Sequence, residues 1–107
     1  MKTNKRVYIS APISGYDLEE RKSVFSDMEQ RLVEKGYEVC NPMGNHWQSG
    51  LTTQEYMRND LEMLLTCDAI LLLNGWNRSA GCKCELDVAV AIGLDVYFEE
   101  LSQPVKL

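Results

Sequence analysis

Two acidic residues stand where an ordinary core would place an apolar side chain. They are the residues of this chain best placed to do chemistry. Glu85 shares its helical phase with Val88, Ala89 and Ile92, so it faces inward rather than toward water. Asp60 lies three residues after Met57 and four before Leu64, at the margin of a second apolar stripe. Buried carboxylates are rare without a partner or a task, and those with a task collect in functional clefts. Each also has a plain explanation, Glu85 as an acid near a helix N-terminus and Asp60 as a solvated rim residue or half of an ion pair. A capping box does not explain Glu85, because Cys82 rather than Ser or Thr lies three residues before it. Tyr8, near the end of an apolar strand, is a third candidate. Core packing accounts for its ring, but a buried hydroxyl needs a partner, and a carboxylate would serve. Ser79 and Gly81, at the head of the helix that carries Glu85, suit either a simple N-cap or the binding of a phosphate or 5′-oxygen.

These side chains need a scaffold, and the pattern around them describes one. Ala69 to Leu73 is an uninterrupted apolar run too short for a helix, as expected of a strand buried on both faces. It runs into the turn-rich segment Asn74 to Gly81, after which the helical period begins and continues to Gly93. Upstream, Val7 to Ala11 reads as a strand stopped by Pro12, followed by a short loop through Ser14 and Gly15. Asp17 caps a helix to about Lys35, with Leu18, Val24, Phe25, Met28 and Leu32 as its stripe and Gly36 as its stop. Tyr37 to Cys40 is a second strand. The irregular loop from Met43 to Leu51 carries the only histidine, His46, beside Trp47, and these suit surface or subunit contacts as well as contacts to a ligand. Thr52 or Thr53 caps a helix to about Thr66, with Met57, Leu61, Leu64 and Leu65 inward. Asp68 reads as a structural cap, and Asp95 to Phe98 as a fourth strand.

Strands alternating with helices across short connections predict an α/β fold with right-handed crossovers. The expected architecture is a flavodoxin-like three-layer sandwich with a parallel sheet of four or five strands in the order 2-1-3-4. The loops after Ser10 and Leu73 then face each other at the switch point, where such sheets bind ligands. A receiver domain of that fold needs an acidic pair after the first strand and an aspartate ending the third. The residues here are Ser10-Ala11-Pro12 and Asn74-Gly75.

The 107 residues suit one domain, spanning 1–107, that oligomerisation would help to stabilise. A net charge of -5 with scattered Lys and Arg argues against binding a nucleic acid polymer, which needs a basic stripe. It does not argue against a small phosphorylated ligand. Cys40, Cys67, Cys82 and Cys84 form no CxxC pair, and no second Cys/His pair completes a metal site with Cys82 and Cys84. No metal or other cofactor is expected. No apolar signal region or membrane-length run is present in the sequence, so the expected location is the cytoplasm.

Three segments together resemble the nucleoside 2-deoxyribosyltransferase-like superfamily, which includes the nucleoside 5′-monophosphate N-glycosidases. They are Val7-Tyr-Ile-Ser-Ala-Pro-Ile-Ser-Gly15, Asn59-Asp-Leu-Glu-Met-Leu-Leu-Thr-Cys-Asp-Ala-Ile70, and Ser79-Ala-Gly-Cys-Lys-Cys-Glu-Leu86 with Ala91 to Leu94 beyond it. The resemblance implies that Glu85 is the nucleophile, Asp60 the acid that handles the proton of the leaving base, and Tyr8 the residue that orients the glutamate. It implies substrate contacts from Ser10, Pro12, Ser14 and Gly15 in the first loop and from Arg78, Ser79 and Gly81 in the third. The chemistry is coherent: breaking an N-glycosidic bond builds positive charge at C1′, which a carboxylate can stabilise or capture while a second acid protonates the base.

Two departures bear on the substrate. Ser79 stands where the deoxyribosyltransferases carry an aspartate that grips the 5′-hydroxyl, whereas the monophosphate hydrolases have a serine there. Ser14 stands where those hydrolases have an arginine, and Arg78 is the candidate to replace its charge. The resemblance also implies a homodimer or higher homo-oligomer whose neighbouring subunit completes the site from its C-terminal region, for which Ser102 and Gln103 are candidates. The expected function is thus N-glycosidase or glycosyl transfer on a nucleoside 5′-monophosphate or nucleoside. The alternative is a module of the same fold that binds a nucleotide without cleaving it.

Overall fold

The computed structural model describes residues 5–44, 47–99 and 105–106. Strand β1 (Arg6–Ser10) leads into helix α1 (Leu18–Glu34), then β2 (Glu38–Cys40), α2 (Thr53–Leu64) and β3 (Ala69–Leu72). A single 3₁₀ turn (Trp76–Arg78) precedes α3 (Ala80–Ala91), β4 (Asp95–Phe98) and the short β5 (Val105–Lys106). The sheet order is β2-β1-β3-β4-β5, with the first four strands mutually parallel. This is the expected 2-1-3-4 arrangement with one addition. β5 is antiparallel to β4, so the sheet is not parallel throughout. The chain between Phe98 and Val105 is too short for the crossover that a parallel neighbour requires. No helix among the described residues is long and apolar enough to cross a membrane.

Alternation along the strands divides the core into the two outer interfaces of a three-layer sandwich. Tyr8, Ile70 and Leu72 project to one face, where Leu64 of α2 and Cys82 and Ala89 of α3 cover them. Ile9 and Leu73 project to the other, against Phe25 and Met28 of α1. The helix starts are set by short polar side chains. The Asp17 carboxylate accepts from the Glu20 N–H at 2.9 Å. Thr52 and Glu55 form a reciprocal capping box, which settles the start of α2 on Thr52. The Ser79 hydroxyl accepts from the Cys82 N–H at 3.2 Å. Asp68 is structural, as expected: its carboxylate accepts from the Arg6 N–H at 2.9 Å and ties the start of β1 to the approach to β3.

Two residues of the expected apolar stripes lie on the surface instead. Leu65 is 56% exposed and Ile92 46% exposed. Both are C-cap residues, one position beyond the last full turn of α2 and α3, where the chain is already leaving the helix.

Candidate active site

The switch point puts the candidate residues in one place. Glu85 lies in the second turn of α3, and the sheet face that α3 covers carries residues 8 and 10 of β1. The Tyr8 hydroxyl donates to Glu85 Oε2 at 2.8 Å, and the Ser10 hydroxyl donates to Glu85 Oε1 at 2.7 Å. All three residues are buried, with Tyr8 at 0%, Ser10 at 1% and Glu85 at 5% exposure. Burial pushes the Glu85 carboxyl above its ordinary range, and the Ser10 and Tyr8 hydroxyls oppose that rise. Two hydrogen bonds to a charged group contribute about 1.5–3 kcal/mol each, less than the desolvation of an unsupported carboxylate. Desolvation therefore wins. The Tyr8 phenol is held well above its usual value by burial and by the Glu85 charge, so it remains a donor.

Asp60 enters from α2. It and Glu85 line the same cavity, of about 530 Å³. Burial, reinforced by the Glu85 charge, raises the Asp60 carboxyl to about 7. Near neutral pH the site thus holds one carboxyl clamped by two donors and another that readily keeps its proton. That is how a fold assigns different roles to two acids.

The loops close the cavity from three sides. Pro12, Ser14 and Tyr16 come from the loop after β1, and Arg78, Ser79 and Gly81 from the segment that starts α3. These two loops touch at Gly75, whose φ of 93° suits glycine. A Cβ there would also come within 3.2 Å of Pro12 Cγ. The loop after β1 is braced from below by Arg21, which donates to the Pro12 carbonyl at 3.2 Å, pairs with Glu20 and lies 4.6 Å over the Tyr16 ring. Trp47, Tyr56 and Met57 form an apolar wall. Trp47 stacks on Tyr56 with centroids 6.1 Å apart and an interplanar angle of 13°, and Lys22 lies 5.0 Å from its ring centroid.

Of the residues singled out from sequence, Asp60, Glu85, Pro12, Ser14, Trp47, Arg78, Ser79 and Gly81 line the cavity. Tyr8 and Ser10 lie beneath it as donors to Glu85, and Gly15 forms an exposed turn outside its wall. Ser79 serves as N-cap and cavity wall at once, so the two readings of that residue are compatible. His46, Ser102 and Gln103 lie outside the described residues. Tyr56 and Cys82 were not evident as site residues from the sequence. Tyr56 had a readable signal, since it sits four residues before Asp60 on the same helix face. No group of three His, Cys, Asp or Glu side chains that could hold a metal occurs among the described residues.

The fold is shared with enzymes of nucleoside chemistry. A 2-deoxyribosyltransferase from Leishmania mexicana superposes with a TM-score of 0.67 at 20% identity, over 88% of this chain and 63% of the other. A 2-deoxyribosyltransferase from Bacillus psychrosaccharolyticus gives 0.66 at 20% identity, over 92% of this chain and 77% of the other. The CMP N-glycosidase BcmB of Clostridium botulinum gives 0.61 at 23% identity, over 88% and 67%. The chain therefore spans less than two thirds of the Leishmania enzyme, and at these identities the likeness establishes the fold. No curated protein matches the sequence significantly. Residues 5–98 match the family described as a domain of unknown function, DUF4406, and the chain belongs to that family.

Proposed function

We propose that the protein is an N-glycosidase that cleaves the bond between base and sugar in a nucleoside 5′-monophosphate. One observation carries the reading: Glu85, clamped by two hydroxyls, and Asp60, raised to about 7, line a single cavity large enough for a nucleotide. In the first step Glu85 attacks C1′ as the C1′–N bond breaks, and Asp60 gives its proton to the departing base. In the second, Asp60 as carboxylate takes a proton from water, whose oxygen bonds to C1′ and releases Glu85. A second base in place of that water makes the same site a transferase. Trp47 and Tyr56 offer the base an aromatic face. The exposed apolar residues Leu65, Val90 and Ile92 suit contact between subunits, and four free thiols suit the reducing cytoplasm.

The phosphate subsite in this reading is made by Ser14, Arg78, Ser79 and the first N–H groups of α3. Ser79, unlike an aspartate, leaves it free of negative charge. Arg78→Ala is expected to raise KM for a nucleoside 5′-monophosphate about tenfold and to leave the corresponding nucleoside unaffected. Steady-state kinetics on the pair checks this. An equal effect on both would remove phosphate from the reading.

Incubation with a panel of nucleoside and deoxynucleoside 5′-monophosphates, followed by chromatography for free base, tests the function itself. Release of base from at least one is the expected result. Thermal stabilisation by nucleotides with no base release under any condition would make the protein a binding module instead.

A further inference from the structure

We propose that Ser10 is a positioning residue for Glu85: from beneath the cavity its hydroxyl holds Oε1 while Tyr8 holds Oε2, fixing the carboxylate for attack at C1′. The assignment rests on the glycosidase reading and deepens it by giving Ser10 a task other than contact with substrate. Ser10 is 1% exposed and is not part of the cavity wall, so a ligand in the cavity does not reach its hydroxyl. A serine in a strand surrounded by Ile9, Leu72 and Leu73 has no packing reason to be a serine, because burying a hydroxyl costs free energy unless it is bonded. Its bond is the 2.7 Å contact to Glu85.

The geometry explains why two donors are needed. A glutamate side chain has three rotatable bonds, and a single hydrogen bond leaves its carboxylate free to turn about that contact. Residues 8 and 10 project from the same face of β1, about 6.6 Å apart along the strand, so a long phenol and a short hydroxyl reach the two oxygens from different directions. Each oxygen keeps a lone pair for the reaction. The groups facing Glu85 are Tyr8 and Ser10 from β1, Asp60 from α2, and Cys82 from its own helix. Burial holds the Cys82 thiol neutral, and the Tyr8 phenol is neutral as well. Ser10 is thus one of two donors that favour the charged form of Glu85 against burial.

The test combines ¹³C NMR of the glutamate carboxyls with kinetics on wild type, Ser10→Ala and Ser10→Cys. The Glu85 resonance is assigned by its absence in Glu85→Gln. In Ser10→Ala the Glu85 titration midpoint is expected to rise by about one pH unit, with a smaller rise in Ser10→Cys, whose thiol is a weaker donor. Turnover should fall about tenfold at pH 7 with KM within twofold. An unchanged Glu85 midpoint in a folded Ser10→Ala protein overturns the proposal. So does a variant whose KM rises while kcat holds, because Ser10 would then be touching substrate. If wild type releases no base from any nucleotide, the glycosidase reading fails on that result alone, while the NMR arm still reports whether Ser10 controls Glu85.

Discussion

Glu85→Gln is expected to lower base release by about 10³-fold or more while leaving the fold intact. The carboxamide has the shape of the carboxylate, and its oxygen can still accept from one of the two hydroxyls while its NH₂ donates to the other. What it lacks is the charge and the nucleophilic oxygen. Removing a carboxyl that burial already disfavours should leave the melting temperature at neutral pH equal to or above wild type. Glu85→Ala is a poorer probe, since it opens a void and strands two buried hydroxyls. Circular dichroism melts beside chromatographic rates for Glu85→Gln separate chemistry from folding. Near-normal turnover in that variant would show that the glutamate is not the nucleophile.

The second large effect belongs to Asp60→Asn, which should slow the reaction about 10²- to 10³-fold and at the same time stabilise the protein. The kinetic part follows from the proton that Asp60 supplies. With its carboxyl at about 7, wild-type activity should decline as pH rises through neutrality, and that limb should vanish in the variant. A substrate whose leaving group departs without needing a proton should be largely spared.

The stability part follows from linkage. The folded protein holds a proton to about pH 7 on a group that an unfolded chain releases near its ordinary value of 3.8. Wild-type stability therefore drains away as pH rises from about 4 to about 7. Asparagine has no such penalty, so the variant's advantage should be absent below pH 4 and level off above pH 7. There it should reach about 1–3 kcal/mol, allowing for the partial solvent access of Asp60. Urea denaturation at pH 4 and pH 8 measures both ends of that curve. An advantage already present at pH 4 would point to packing rather than charge.

The parts of the fold that were legible in the sequence depend on local pattern. Periodicity and polar caps placed α1 after Asp17 and α2 after Thr52 or Thr53, and offered Ser79 as one candidate cap for α3. Their alternation with short apolar strands implied the 2-1-3-4 order. Glu85 and Asp60 were legible for the same reason, since an acid in an apolar phase breaks a pattern that the neighbouring residues make visible.

Leu65 and Ile92 misled because a stripe extrapolates past the point where the helix ends. Trp47 was legible only as one of two alternatives, a surface contact or a ligand contact, and Cys82 gave no signal, since their places in the cavity wall depend on how separate elements meet. Ser10 lay between these cases. Its spacing of two from Tyr8 put both hydroxyls on one strand face, but only the packing of α3 shows that a single carboxylate receives them. Arg21, on the buried side of α1, was hidden in the same way until the loop above it supplied the Pro12 carbonyl.

The central claim is that Glu85 and Asp60 flank one glycosidic bond. A crystal structure of Glu85→Gln soaked with whichever nucleotide the wild type cleaves tests it most directly. The expected complex has C1′ within about 3.5 Å of the side chain at position 85, the base beside Trp47 within hydrogen-bonding reach of Asp60, and the phosphate at the head of α3. A nucleotide lying with its sugar away from position 85, or with Asp60 turned from the base, would contradict it.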